Sequence, residues 1–243
     1  MKRSKKETAL RVLGLILLVS LVLSAIYSLV RFLTAPTEAL EGTSYVKVKS
    51  DYLLMLTQCI LGLLVMMLPS LLARRFKIVL PNVITVLYYL FLYCAIFLGE
   101  VFEFYYLVPH WDTMLHAFSG AMLGALGFEL VDFLNRGAGS KVSLSPFFVS
   151  LFAFSFALMI GALWEIYEFS FDALLGLNMQ KHTTAEGAGL VGKEALSDTM
   201  KDLIIDALAA LAVAVVGLFQ NLVVKKRRGA ERETRKNSFP PVS

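Results

Sequence analysis

The residues best suited to chemistry lie in the stretch HWDTMLHAFSG, at positions 110–120. It places two histidines and an aspartate directly before a long apolar run. Asp112 and His116 are four residues apart, so on a helix their side chains project from the same face. Ionisable side chains at the end of a membrane helix are costly, and they mark candidate functional sites.

Two later stretches have the same character. Glu165 and Glu168 are three residues apart, and Asp198, Asp202 and Asp206 recur every four residues. On a helix each set forms one stripe, and in a membrane protein such stripes face the bundle interior or a wet cavity. Whether the three stretches meet depends on the topology of the chain.

The composition indicates an integral membrane protein. Of 243 residues, 57% are hydrophobic and 17% are charged, and the mean hydropathy is +0.68. Several apolar runs have membrane length, which predicts an all-α, polytopic membrane helix bundle. The net charge of +4 comes largely from the two tails. It therefore indicates topology signals and contacts with lipid headgroups rather than nucleic acid binding.

The apolar runs predict six transmembrane helices, at about 12–30, 51–73, 81–108, 112–134, 146–175 and 198–224. The first run is longer than a signal-peptide core of about 7–15 residues, so we expect a retained helix. The predicted organisation is a basic cytoplasmic leader at 1–8, a six-helix domain at 9–224 and a disordered basic cytoplasmic tail at 225–243.

The distribution of basic residues predicts the orientation. With both termini in the cytoplasm, only six of the 23 lysines and arginines fall on the outer side: Arg31, Lys47, Lys49, Lys181, Lys193 and Lys201. We therefore expect a multi-pass protein of the bacterial cytoplasmic membrane. This topology collects His116 and nine carboxylates at the outer leaflet: Glu100, Glu103, Asp112, Glu165, Glu168, Asp172, Asp198, Asp202 and Asp206.

A bound divalent metal ion is the simplest way to neutralise so many acids. Carboxylates with an imidazole suit Mg²⁺, Mn²⁺, Ca²⁺ or Zn²⁺, and the sequence does not choose among them. The predicted metal ligands are Asp112, His116, Glu165 and Asp202. Glu168 or Asp198 is expected to orient water or to act as general base, with His110 and Asp206 in supporting positions.

Simpler interpretations exist for several of these residues. Asp112 and Asp198 could be helix N-caps, because aspartate is favoured there. Glu100, Glu103 and Asp172 could be wetted helix ends. Close packing of helices is expected at three glycines, Gly120, Gly124 and Gly127. Capping does not account for His116, Glu165, Asp202 or Asp206, which fall inside predicted helices.

The three stretches in order resemble the YjdF family of bacterial inner-membrane proteins, and more distantly the VanZ-like proteins. The matching pattern is His-x-Asp-x-x-x-His-x-x-x-Gly, then Glu-x-x-Glu, then Asp-Thr-x-x-Asp. Here it falls on His110, Asp112, His116 and Gly120, on Glu165 and Glu168, and on Asp198, Thr199 and Asp202. The similarity covers about residues 95–224. It implies the membrane fold and the site, but no reaction.

Three functions remain open from the sequence. The first is metal-assisted hydrolysis or group transfer on a lipid-linked or phosphate substrate. The second is a non-catalytic envelope or accessory protein that uses the cluster for stability. The third is an ion- or proton-coupled transporter, which is disfavoured because transporter sites usually lie near the midplane and these acids collect toward one side.

Overall fold

The structure, a computed structural model, describes residues 5–37, 46–78, 80–137, 144–184 and 188–238. Within these ranges the only β feature is a single bridge between Thr183 and Gly189. Six helical segments are long and apolar enough to cross a membrane: Thr8–Thr34, Lys49–Arg75, Asn82–Val101, Trp111–Asn135, Pro146–Leu175 and Lys193–Arg227. The prediction of an all-α polytopic bundle is therefore confirmed.

The described part of the chain contains eight α-helices and two π-helical segments, and all but the short helix Phe104–Leu107 belong to these spans. The α-helices are α1 (Lys5–Thr34), α2 (Lys49–Val65), α3 (Leu68–Leu71), α4 (Asn82–Leu92), α5 (Phe104–Leu107), α6 (Trp111–Gly137), α7 (Pro146–Leu175) and α8 (Lys193–Ser238). The π-helical segments are Leu72–Phe76, which follows α3, and Tyr93–Val101, which continues α4. Pro69 at the start of α3 suits a first helical turn, since its missing N–H has no intrahelical partner there.

The two ends of the chain are more helical than the sequence predicted. Helix α1 begins at Lys5, within the predicted leader. Helix α8 begins at Lys193 rather than Asp198, directly after Gly192 with φ 62°, and it continues to Ser238 through most of the predicted disordered tail. Lysine, arginine, glutamate and alanine are good helix formers, and a membrane helix already supplies the nucleus. Residues 1–4 and 239–243 lie outside the described residues.

The third membrane helix is shorter than predicted. It ends at Val101 rather than near residue 108, because Glu103 adopts a left-handed conformation with φ 62°. The carboxylate of Glu103 is 2.7 Å from Lys47 Nζ, which ties this break to the start of α2. Glu103 therefore belongs to a turn and not to a helical stripe.

The helices form two groups of three spans. In the first, α1 packs against α2 and α4 around Leu17, Leu21, Cys59, Leu92 and Ile96. In the second, α6, α7 and α8 pack against one another. The stacked rings of Phe91 and Phe118, with centroids 6.1 Å apart, are one contact between the groups.

The glycines of α6 allow its close contacts with α7 and α8, as the sequence predicted. A Cβ atom at Gly120 would lie 2.8 Å from the backbone oxygen of Asp206 on α8. One at Gly127 would lie 2.7 Å from Ala153 Cα on α7. Distances this short cannot be relieved by turning a side chain, because the neighbouring atoms belong to the backbone. Small residues at membrane helix interfaces permit this kind of approach.

We expect Gly127→Ala to separate α6 from α7 and to lower stability by roughly 1–3 kcal/mol, the usual cost of overpacking. Thermal unfolding in detergent measures the change. Gly189→Ala is the control, because nothing lies within 4 Å of a Cβ atom at that position. Equal melting temperatures for the two variants would contradict this close contact.

Candidate metal centre

Three helices bring the three acidic stretches together. Asp112 and His116 lie in the first turns of α6, Glu165 lies on α7, and Asp202 and Asp206 lie on α8. Four of these five residues are buried, namely His116, Glu165, Asp202 and Asp206. The fifth, Asp112, is half-buried. In the part of the chain that the structure describes, those four are also the only acidic, basic or histidine residues in the buried class.

The centre of this cluster is Nε2 of His116. Its distance is 3.8 Å to Asp112 Oδ1, 3.9 Å to Glu165 Oε1 and 3.9 Å to Asp202 Oδ2. These separations are too long for hydrogen bonds. Ligand atoms around a divalent ion at about 2.1 Å lie roughly 3.0–3.5 Å apart. The three distances to Nε2 are a few tenths of an ångström longer than this, so the three carboxylates and the imidazole would have to move closer together to bind an ion.

The other imidazole nitrogen holds the ring in place. His116 Nδ1 is 3.2 Å from Asp206 Oδ2, and the Ser119 hydroxyl is 3.4 Å from Asp206 Oδ1. An Nδ1–H that donates to Asp206 leaves the lone pair of Nε2 directed at the three other carboxylates. Metal-ligating histidines commonly donate their second N–H to a carboxylate in this way. The supporting position predicted for Asp206 has this geometry.

Glu165 gives a second, independent indication of a cation. Its side chain is only 6% exposed, and Oε1 has no hydrogen-bond partner in the structure. A buried carboxylate oxygen without a partner is costly. This oxygen is the one that faces His116 Nε2, where a bound cation would satisfy it.

Electrostatic repulsion also favours a cation. The nearest ligand atoms of Asp112, His116 and Asp202 lie within 4.8 Å of one another. Two unit charges 4.8 Å apart repel by roughly 3–4 kcal/mol at an effective dielectric constant of about 20. Four carboxylates around one imidazole therefore need protons or a bound cation. Asp112, with a side chain 31% exposed, provides the wet edge of the cluster.

Glu168 and Asp198 lie close to the cluster without joining its centre. Each is about one helical turn from a residue of the cluster, Glu168 after Glu165 on α7 and Asp198 before Asp202 on α8. The charge of Asp112 acts on both carboxyl groups. Their predicted role as general base stays a prediction. The alternative that Asp112 and Asp198 are helix N-caps is wrong, because both lie inside their helices: α6 begins at Trp111 and α8 begins at Lys193.

His110 is the predicted residue that the structure places apart from the cluster. It is exposed, with a left-handed backbone at φ 60°, and its carbonyl accepts a hydrogen bond from Met114 N at 2.9 Å. This backbone turns the chain into α6, and the supporting role of His110 stays a prediction.

Asp172, another of the acids predicted at this end of the bundle, organises the loop between α7 and α8. Asp172 accepts hydrogen bonds from Met179 N at 2.8 Å and from Gln180 N at 3.0 Å. The Gln180 amide then donates to the Thr199 hydroxyl at 2.8 Å, which ties the loop to α8. These loop contacts could not be predicted from the sequence, because amide and hydroxyl groups in a polar loop have many alternative partners.

Lys181 is a functional candidate that the site prediction did not include. Its ammonium is 3.6 Å from Glu100 Oε2 and lies over the rings of Tyr105 and Tyr106, at 4.6 and 5.3 Å from their centroids. Burial disfavours the charged form, but the negative charge of Glu100 and other nearby groups outweighs it and raises the pKa of Lys181. These charges therefore favour the ammonium form of Lys181.

The fold and cluster define a polytopic membrane protein with a buried histidine–carboxylate centre. The family model described as "Predicted membrane protein (DUF2238)" matches residues 9–222, and the chain belongs to this family. This is the family of YjdF-like proteins, so the resemblance of the three stretches is confirmed. The match also includes the first two membrane helices. No curated protein and no solved structure matches the chain significantly.

We expect divalent cations to stabilise the purified protein against heat. A ligand that binds only the folded state at about 100 times its Kd adds roughly 2.7 kcal/mol. Melting curves in detergent with Mg²⁺, Mn²⁺, Ca²⁺ or Zn²⁺ should therefore shift upward for at least one ion, and Glu165→Gln should abolish that shift. Asp132→Asn, an exposed carboxylate later on α6, is the control and should retain it. An identical shift in both variants would place the bound cation elsewhere.

Proposed function

We propose that this protein is a metal-dependent hydrolase or group transferase that acts on a lipid-linked or phosphate substrate at the outer leaflet. The observation that supports this most is the convergence of Asp112, Glu165 and Asp202 on His116 Nε2. The convergence joins three separate helices, as catalytic metal sites in helix bundles do. Metal sites with a wet edge are suited to catalysis, since a water or substrate needs an open position.

In this proposal His116, Asp112, Glu165 and Asp202 hold the ion, and Asp206 orients the imidazole. The ion would lower the pKa of a bound water and polarise an oxygen of the substrate. The partly exposed side of Asp112 is where the substrate and water would enter. Glu165 and Asp202 close the opposite side, because both side chains are only 6% exposed.

Glu168 and Asp198 are the candidates for the general base. Both are half-buried, and both are displaced from the ligand set toward the loop between α7 and α8. A carboxylate one turn away from a metal ligand can accept the proton of an attacking water without itself binding the ion. Glu168 is also within the electrostatic influence of Lys181.

The location at the outer leaflet is supported by the basic residues. Arg74, Arg75 and the basic part of α8 from Lys225 belong to the end of the bundle away from the cluster. Positively charged flanks favour the cytoplasmic side. Exposed apolar side chains around the site helices, such as Ile166, Phe169 and Ile204, would contact lipid directly. A lipid-linked substrate could therefore reach the site laterally from the membrane.

The main alternative is a non-catalytic protein in which the cluster serves stability. The pairing of His116 with Asp206 supports it, because a protonated imidazole would balance part of the acidic charge without metal. An ion- or proton-coupled transporter has less support. Among the described residues, the buried acidic and histidine residues form a single cluster and do not continue across the bundle.

Metal content separates these alternatives. We expect elemental mass spectrometry of detergent-purified protein to find roughly one divalent ion per chain, because three carboxylates and one imidazole would form a single four-ligand site. The double variant Asp112→Asn/His116→Ala should lose it, with circular dichroism verifying that the helices remain. An absence of metal in the parent, even after Mg²⁺, Mn²⁺ and Zn²⁺ have been added back, would favour the non-catalytic alternative.

Activity can then be assigned to the two candidate bases. The metal-loaded protein is incubated with a polyprenyl diphosphate in mixed micelles, and released inorganic phosphate is measured. Loss of a general base typically lowers the rate about 10²–10⁴-fold, so we expect this of Glu168→Gln or of Asp198→Asn, with metal content unchanged. Glu194→Gln, an exposed carboxylate in the first turn of α8, is the control. Full activity in both test variants would exclude both residues as the base.

A further inference from the structure

We propose that Thr199 and Gln180 are positioning residues of the metal site, which hold one oxygen of the Glu165 carboxylate so that the other, Oε1, faces the ion. The inference rests on the proposed function and deepens it, because it assigns part of the metal affinity to a hydroxyl and an amide that do not bind the ion. It is carried by the place of Thr199 on α8, by its hydrogen bond with Gln180 and by the loop that fixes Gln180.

Thr199 lies on the face of α8 that carries the acids of the cluster. It precedes Asp202 by three residues and Asp206 by seven, and both spacings return to the same side of an α-helix. Asp202 and Asp206 are 3.9 and 3.2 Å from the two ring nitrogens of His116, so this side of α8 faces the imidazole. Thr199 is therefore about one helical turn from the proposed ligand Asp202, toward the loop between α7 and α8.

The Thr199 hydroxyl is used differently from three other threonine hydroxyls in helices. Thr34, Thr85 and Thr234 each donate to the carbonyl oxygen four residues earlier, which is a common partner of a threonine in a helix. Thr199 Oγ1 instead accepts a hydrogen bond from the Gln180 amide at 2.8 Å. One lone pair of the hydroxyl is thus occupied from the loop, and its proton is left for an acceptor on the cluster side.

Glu165 is the acceptor that fits this hydroxyl. The Thr199 hydroxyl and the Gln180 amide are both side-chain hydrogen-bonding groups that act on the Glu165 carboxylate. Oε1 of Glu165 has no hydrogen-bond partner and is 3.9 Å from His116 Nε2, which leaves Oε2 for these donors. A ligating carboxylate that is hydrogen-bonded at one oxygen keeps its orientation and still offers the other oxygen to an ion.

The loop between α7 and α8 holds Gln180 in place. Asp172 accepts a hydrogen bond from Gln180 N at 3.0 Å and another from Met179 N at 2.8 Å. Met179 is also buried against Leu54 of α2. Because the backbone at Gln180 is anchored by a carboxylate and by apolar packing, the amide meets Thr199 with little further loss of conformational freedom.

A purely structural role would give a different result. If the hydrogen bond between Gln180 and Thr199 only tied the loop to α8, its loss would lower the melting temperature and leave the metal site unchanged. Asn178 has such a role, because its side chain accepts from Thr183 N and donates to Thr183 O, both at 2.9 Å, within the loop. Asn178→Ala is therefore the matched control, since it removes loop hydrogen bonds without altering Thr199.

The experiment uses the full chain in detergent and compares Thr199→Val, which removes the hydroxyl, with Thr199→Ser, which keeps it. Isothermal titration with Mn²⁺ gives the affinity, and the visible spectrum of the Co²⁺-loaded protein reports the ligand set. We expect Thr199→Val to weaken Mn²⁺ binding about 10–100-fold and to change the Co²⁺ spectrum, because a metal ligand loses its hydrogen-bond partner. Thr199→Ser should bind Mn²⁺ like the parent. Asn178→Ala should also do so, although its melting temperature should fall.

Gln180→Leu tests the second residue of the pair. It should weaken Mn²⁺ binding as Thr199→Val does. The double variant should lose little more than either single variant, because both substitutions break the same chain of hydrogen bonds. Losses that simply add would contradict a shared action on Glu165.

The outcomes separate this inference from the proposed function. A parent protein that binds no Mn²⁺ contradicts the proposed function and with it this inference. A parent that binds Mn²⁺, beside a Thr199→Val variant with the same affinity and the same Co²⁺ spectrum, overturns the inference alone. An equal loss of affinity in Asn178→Ala also overturns it. If Thr199→Val does not fold, Gln180→Leu is judged by the same criteria.

Discussion

The constraint on which the rest of the structure depends is the placement of four carboxylates around one imidazole inside an apolar bundle. Asp112, Glu165, Asp202 and Asp206 all face His116, at distances of 3.2–3.9 Å. Their mutual repulsion opposes the approach of α6, α7 and α8. The three helices stay together because apolar and small residues pack below the cluster.

The small residues decide how close the charges come. Gly161 on α7 faces the Asp206 carboxylate so directly that a Cβ atom there would collide with Oδ2, and Gly120 on α6 meets the Asp206 backbone. Asp206 can therefore reach His116 Nδ1 only because two neighbouring helices carry no side chain at these points. The packing of the bundle and the chemistry of the cluster thus depend on the same contacts, and a substitution at either glycine would disturb both.

The sequence was sufficient to predict the cluster, because its members follow helical periodicity and the alternating direction of the spans brings them to one level. It could not predict features that depend on tertiary contacts. At the helix break, Glu103 has a left-handed backbone and pairs with Lys47, 56 positions earlier in the chain. The position of Lys181 depends on a loop folded by Asp172, Gln180 and Thr199. The roles of the two nitrogens of His116 depend on Asp206, and spacing alone does not distinguish them.

Helix α8 has a mechanical consequence. It carries Asp202 and Asp206 in the cluster and continues without interruption to Ser238. From Asp206 to Ser238 a straight helix measures roughly 48 Å, so a tilt of about 5° at the cluster would displace its far end by roughly 4 Å. A small rearrangement around the histidine would thus be amplified at the opposite face of the bundle. A change in the position of Asp202 or Asp206 would therefore also move the basic end of α8.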